Sequence, residues 1–172
     1  MTDIIVYLDN LYCLFSGYNK SMKHLPLQYS ARGIITDRDG NILLVKHGSH
    51  KPWTLPGGHV EENETFQEAM IREAREELDI IIELVGMVTI YRESNIQSLP
   101  APIRVQTIEY ENERGPQRKY EEFFLAHHIS GTLTPQKSEI ASFGWFTLEQ
   151  IGAMADAEIY ASIRELVLGV SL

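Results

Sequence analysis

From Ile4 to Phe15 the apolar residues recur at helical spacing, with Ile4, Ile5, Leu8, Leu11, Tyr12 and Phe15 on one stripe. The spacing predicts a short amphipathic helix packed on its own domain, with a partner-binding helix as the alternative. Ser16, Gly17, Asn19 and Pro26 then break the periodicity, so residues 16–28 read as a linker. Residues 1–28 are taken as an N-terminal extension and residues 29–172 as the domain proper.

After the linker the pattern changes. Residues 29–46 read as a hairpin, with Ile34 and Ile35 before the Asp39-Gly40 turn and Ile42 to Val45 after it. A polar loop over 47–52 leads to a short strand at 53–55, which runs into Pro56-Gly57-Gly58. A helix is expected to start at Thr65, capped by its hydroxyl with Glu68 reaching back, and to end near Leu78. Strands are expected at 84–91, 103–110, 119–129 and 143–146, and helices at 147–153 and 156–168. Antiparallel strand patterns interrupted by one helix and closed by others predict an α/β or α+β sandwich with a mixed sheet. No internal repeat, dinucleotide-binding glycine motif or P-loop is present.

Composition narrows the partners. A formal net charge of -9 argues against a surface that gathers nucleic acid by cation density, so phosphates must meet local cations or bound metal. Cys13 is the single cysteine, which excludes an intramolecular disulfide and suits a reducing cytoplasm. Asp3 and Asp9 interrupt the apolar N-terminus, so a signal peptide reads poorly, and no run is long enough to span a membrane.

The chemistry concentrates in the central helix. Glu73, Glu76 and Glu77 stand at i, i+3 and i+4, which projects three carboxylates from one face, while Met70, Ile71, Ala74 and Leu78 form an adjoining apolar flank. Clustered acids destabilise a helix unless a cation sits among them. Taken alone, the helix leaves two readings open: a solvated acidic face paired with Arg72 and Arg75, or a site for a hard divalent cation. The preceding loop adds Gly57 and Gly58, which let the backbone approach a ligand closely, and Pro56, which sets the direction of the turn.

Gly58, five residues, Glu64, seven residues, then Arg72-Glu73-Ala74-Arg75-Glu76-Glu77-Leu78-Asp79-Ile80 resembles the Nudix box, G-x5-E-x7-R-E-U-x-E-E-x-G-U. Ala74 is a small member of the apolar class, and Asp79 stands where glycine is expected, at a helix end where Asp tolerates left-handed backbone. With the hairpin and the Trp145-Phe146 strand, the resemblance spans roughly residues 29–170. It implies a Nudix-type α/β/α sandwich and hydrolysis of a nucleoside diphosphate linked to another moiety, with magnesium as cofactor and manganese as a substitute. It also implies that Glu73, Glu76 and Glu77 are metal ligands, or one of them the base, with the Gly57 carbonyl as a further ligand. Arg72 would orient the box glutamates, and Gly58 and Glu64 would support the loop.

The base can lie outside the box. Glu139, Glu121 and Glu122 are candidates, each weighed against an ordinary surface acid. Lys46, His47, His50, Lys51, Arg32 and Arg104 could meet distal phosphates. His127 and His128 are adjacent on an expected strand, so they face opposite ways and form no common site. Trp53, Trp145 and Phe146 are expected in the core rather than stacked on a base. The proline or tyrosine that some subfamilies carry past the box is not evident near Ile96. A nucleoside triphosphate is therefore weighed against ADP-ribose or a nucleotide sugar, and against a non-catalytic nucleotide sensor. The partner expected is a small-molecule nucleotide, without membrane or dedicated nucleic-acid surface, and a homodimer is compatible with the chain.

Overall fold

The structure is a computed structural model that describes residues 25–170. The amphipathic stripe of residues 4–15 therefore lies outside the described residues. Six strands form one mixed sheet: β1 (Leu27–Thr36), β2 (Ile42–Lys46), β3 (Ile81–Val85), β4 (Arg104–Asn112), β5 (Gly115–Ser130) and β6 (Ser142–Phe146). The helices are α1 (Phe66–Leu78), α2 (Leu148–Ala153) and α3 (Ala161–Gly169). Among these described residues no helix is long and apolar enough to cross a membrane.

The path of the sheet is β3-β5-β1-β2-β6, with β4 also on β5. β1 and β5 run parallel, and the other pairings are antiparallel. Successive strand residues point to opposite faces, so the apolar doublets are divided between two cores. Ile35, Leu43 and Phe124 go to a core under α1 with Met70, Ala74 and Leu78. Ile34, Leu44 and Phe123 go to a core under α2 and α3 with Ile151, Ile163 and Val167. Covering both faces makes the three-layer sandwich, and it explains why these strands read as continuous apolar runs. Trp53 packs edge-on against Phe146 at 5.0 Å, and Trp145 packs on the α1 core, so these aromatics are structural.

Two expected elements are displaced, each by a competing pairing. The strand expected at 84–91 is found at 81–85, and Met87 and Ile90 lie exposed in the loop beyond it. To continue past Val85, which pairs with Leu125, β3 would need the same edge of β5 that β4 occupies through Arg104↔Phe123 and the bond from Ile103 N to Phe123 O. The helix expected from 156 starts at Ala161, because Glu158 and Tyr160 spend their backbone groups on Trp53. The Asp39-Gly40 turn forms as read: Asp37 accepts from the backbone of Asp39 and Asn41, and Gly40 takes a positive φ of 79°.

β1 also positions the glycine loop. It pairs with β2 only near Thr36↔Ile42, and its first half is zipped to residues 56–60 instead. Ala31 N donates to Gly58 O, Gly33 N to Pro56 O, and Val60 N to Tyr29 O. The loop is thus held almost as a strand beside the sheet.

Candidate active site

α1 starts at Thr65, where a reciprocal capping box with Glu68 forms as its sequence predicts. It ends at Asp79, whose φ of 56° and ψ of 38° are left-handed, so the residue standing in place of glycine still closes the helix. One helix face then points at the glycine loop. Gly58 is the floor for Glu73: a Cβ there would lie 2.3 Å from Glu73 Oε1. Gly57, at φ 125°, presses on β1, and a Cβ there would lie 2.2 Å from the Ala31 carbonyl oxygen. Its N–H donates to Glu77 Oε2 at 3.1 Å.

These groups line a cavity of about 390 Å3 with Glu73, Glu77, Glu139, Gly57, Gly58, Arg32, His47, His59 and Lys119 on its walls. Glu77 is 2% exposed, and burial pushes its carboxyl up to about 7, against the opposing pull of the Gly57 N–H. Burial likewise raises Glu73, although Arg72 works the other way. His47 Nδ1 lies 3.7 Å from Glu77 Oε1, but burial and the nearby Arg32 and Lys119 lower the His47 pKa. We therefore read that contact as a neutral imidazole beside an acid, not as an ion pair.

Arg72 is the hub of the box. It donates to both oxygens of Glu64 (2.8 and 3.0 Å), to Glu73 (3.0 Å), to Glu76 (2.9 Å) and to the His59 carbonyl (2.8 Å). Glu64 also accepts from Glu61 N, and Arg72 holds its carboxyl below the usual range. A lysine cannot span these partners, because its ammonium lacks the planar fork. Arg72→Lys is expected to lower stability by about 2 kcal/mol, read from the midpoint of urea unfolding. An unchanged midpoint would mean the network contributes nothing to holding the loop.

Of the three helix acids, the structure brings Glu73 and Glu77 into the cavity and leaves Glu76 at the rim, 56% exposed in its side chain and bound to Arg72. Glu139 enters from the loop after β5. That loop is tied to the end of α1, with Thr134 N bonded to Leu78 O and Gln136 N to Glu77 O. Gly131, at φ 100°, allows the close approach, since a Cβ there would lie 2.5 Å from the Asp79 carbonyl oxygen.

Glu121 is not the surface acid its sequence context suggests. It is 3% exposed, faces the α3 side of the sheet and pairs with Arg32 at 3.1 Å. Glu122, one residue on, turns to the other face and accepts from the Tyr120 hydroxyl. Among the cation candidates, Arg32 and His47 reach the site. Lys46 lies over the Trp53 ring, and His50, Lys51 and Arg104 line neither this cavity nor the one beside it. His127 meets Thr36 Oγ1 while His128 lies against Trp145, so the two part as expected. Lys119 and His59 are the functional candidates that sequence reasoning missed. For Lys119 a signal existed: Lys119, Glu121 and Phe123 alternate, so a charged pair shares its face with a core aromatic.

Comparison with known proteins places this geometry among relatives. Residues 26–167 match the family model described as NUDIX domain. The chain is 25% identical over 146 residues to the NAD-capped RNA hydrolase NudC of Vibrio atlanticus, covering 84% of this chain and 46% of that protein. It is 24% identical over 132 residues to a MutT-like protein of Streptomyces ambofaciens, covering 77% of this chain and 71% of that one. The chain spans about half the length of the NudC relatives it matches. In fold it is similar to a NUDIX-family hydrolase from Clostridium perfringens, with a TM-score of 0.66 at 23% identity over 84% of this chain and 95% of that one.

Proposed function

Since the chain belongs to the NUDIX family of pyrophosphohydrolases, we propose that it hydrolyses the pyrophosphate bond of a nucleoside diphosphate linked to another moiety, with magnesium at Glu73 and Glu77. The observation that supports this most directly is the pair of desolvated carboxylates facing the Gly57-Gly58 backbone. Two buried acids beside each other are costly to ionise, and a divalent cation is the ligand that relieves the cost. Among the described residues no three acids, histidines or cysteines already converge to cage an ion. Magnesium does not require such a cage: it commonly takes one or two carboxylates and keeps its remaining positions for water and phosphate. The donor set, all hard oxygen, fits it, with the Gly57 carbonyl as a further ligand and Glu76 at the rim.

Bound there, the ion supplies Lewis-acid polarisation of the phosphoryl oxygens. The chain's own groups do the rest in this reading. Arg72 fixes Glu73 against Gly58, and the Gly57 N–H fixes Glu77. Glu139 lines the same cavity as both acids, and in this reading it accepts the proton of the attacking water. Arg32 and Lys119, which line the same cavity, offset phosphate charge that a chain at -9 would otherwise repel. A cytoplasmic setting belongs to the same reading and draws on the single cysteine. A nucleotide sensor is the weaker alternative, because binding alone gives no reason to bury two acids together.

The test is a panel of nucleoside triphosphates, ADP-ribose, nucleotide sugars, dinucleoside polyphosphates and NAD, assayed with and without magnesium. Turnover is expected only with the ion, yielding a nucleoside monophosphate from a bridging pyrophosphate. In oxygen-18 water the label should appear on a phosphate product. Label on sugar carbon, or release of free base, would show that the site performs a different reaction.

A further inference from the structure

The face of the sheet that carries α1 is only partly covered by it. Pairing across β1, β5 and β4 sets three rows on that face: Leu27, Arg118 and Glu109; Tyr29, Tyr120 and Thr107; Ala31, Glu122 and Val105. Ala31 is fully buried in the α1 core. α1 begins at Phe66, whose ring meets Tyr29 at 6.1 Å and Tyr120 at 5.7 Å, and Tyr29 meets Tyr120 at 6.0 Å. This edge-to-face cluster marks the end of the helical cover. Beyond it Leu27 is 44% exposed, Tyr29 46% and Val105 45%.

The polar members of the face are already matched. Arg118 pairs with Glu109, and the Tyr120 hydroxyl donates to Glu122 at 3.2 Å. What is left open is apolar and aromatic, a surface that calls for an apolar cover rather than a charged ligand.

The chain itself supplies one. Residues 1–24 precede the described residues and lead directly onto this face: Pro26 O accepts from Arg118 N at 3.1 Å, and Leu27 stands in the first row. The stripe read in that segment, Ile4, Ile5, Leu8, Leu11, Tyr12 and Phe15, has the spacing of one helix side, and a single amphipathic helix cannot bury its own stripe. Reach is sufficient. From Leu27 to Val105 is about 13 Å along the strands and about 10 Å across them, whereas residues 16–25 can extend to about 33 Å. A helix over residues 4–15 would be about 18 Å long, enough to cross all three strands. A tethered segment also meets the face at an effective concentration in the millimolar range, well above that of a second copy in dilute solution.

We propose that the apolar stripe of residues 4–15 closes back onto this face of its own chain, against Tyr29, Tyr120 and Val105. It braces the glycine loop from behind, because Tyr29 O accepts from Val60 N and Phe66 follows the Thr65 cap. The inference does not rest on the hydrolase reading, and its test needs neither metal nor nucleotide.

Cys13 is the single cysteine and falls off the stripe at helical spacing, so a nitroxide placed on it in the full chain reports where the segment goes. Amide signals of residues 104–108 and 119–121 are expected to lose most of their intensity, and those of α3, beneath the opposite face, much less. Thermal unfolding of the full chain gives a second reading. Leu8→Asp is expected to lower the melting temperature by about 5 °C or more, since the burial of a leucine is lost, and Val105→Asp should lower it as well. Because both unseat the same contact, the double variant should melt near the less stable of the two single variants.

Unchanged intensities along β4 and β5 would overturn the inference, as would a Leu8→Asp variant that melts like the parent. Strictly additive losses in the double variant would place the two residues in separate contacts and overturn it equally. Isotope-labelled protein mixed with spin-labelled protein lacking the isotope tells the chain's own segment from a second copy. Broadening of the same amides in that mixture would assign the cover to a partner copy and sink the proposal; intensities preserved in the mixture but lost in the singly labelled chain would support it.

Discussion

Glu77→Gln is expected to lower magnesium-dependent turnover by about a hundredfold or more, and at the same time to make the metal-free protein more stable at pH 8. The loss follows from the ligand chemistry: an amide is nearly isosteric with the carboxylate but a poor partner for a hard cation whose charge stabilisation is worth several kcal/mol. The gain follows from burial. Glu77 is pushed from its ordinary 4.5 up to about 7, so the folded protein holds that proton more tightly than the unfolded chain does. A raised folded-state pKa contributes stability that is fully present below about 4.5 and is lost as the pH rises through about 7. At 1.36 kcal/mol per unit, the metal-free parent should lose about 3 kcal/mol across that window through this group. The variant has no such group to ionise, and its amide oxygen can still accept the Gly57 N–H.

Unfolding in EDTA at pH 5 and pH 8 measures the difference between parent and variant, in which the other acids largely cancel. Magnesium added at pH 8 should stabilise the parent and not the variant, since only a folded site binds the ion. Parent and variant curves that run parallel from pH 5 to 8, or a variant with near-normal turnover at limiting magnesium, would remove Glu77 from the proposed metal site.

Alanine at the two box glycines should separate stability from activity, although the residues are adjacent. Gly57 sits at φ 125°, where a side chain is strained whatever the space, and its Cβ would strike the Ala31 backbone, which cannot give way without breaking the zipper to β1. Gly57→Ala is expected to cost about 3 kcal/mol or more, and therefore to unfold a large share of a marginally stable chain. At Gly58 the atoms nearest to a Cβ are those of the carboxyl end of Glu73, which can swing aside. Gly58→Ala should therefore fold, with a melting temperature near that of the parent, while turnover falls about tenfold to a hundredfold because Glu73 leaves the position Arg72 holds. Equal losses of stability in the two variants would contradict this division. So would full activity in Gly58→Ala.

The sequence by itself determined whatever depends on neighbours a few residues apart. The Thr65–Glu68 cap, the Asp39-Gly40 turn, the end of α1 at Asp79 and the box spacing are all set by local geometry: three or four residues on a helix, or one residue's tolerance for positive φ. The mixed α+β sheet was legible for a related reason, since doublets such as Ile34-Ile35 and Phe123-Phe124 carry the period of a strand buried on both faces. Only the tertiary structure decided what depends on which edge of a strand is already taken. β3 stops at Val85 because β4 holds the next stretch of β5, and α3 starts late because Trp53 claims the backbone before it. The site divides the same way. Spacing placed Glu73, Glu76 and Glu77 on one side of a helix, but Gly58 and Gly57, brought in by β1, select Glu73 and Glu77 and leave Glu76 at the rim. Glu139 reaches them through a loop bonded to the end of α1, and the buried Arg32–Glu121–Lys119 group joins residues up to 89 positions apart. Such contacts carry no periodicity along the chain, because strand pairing and burial, rather than sequence distance, bring them together.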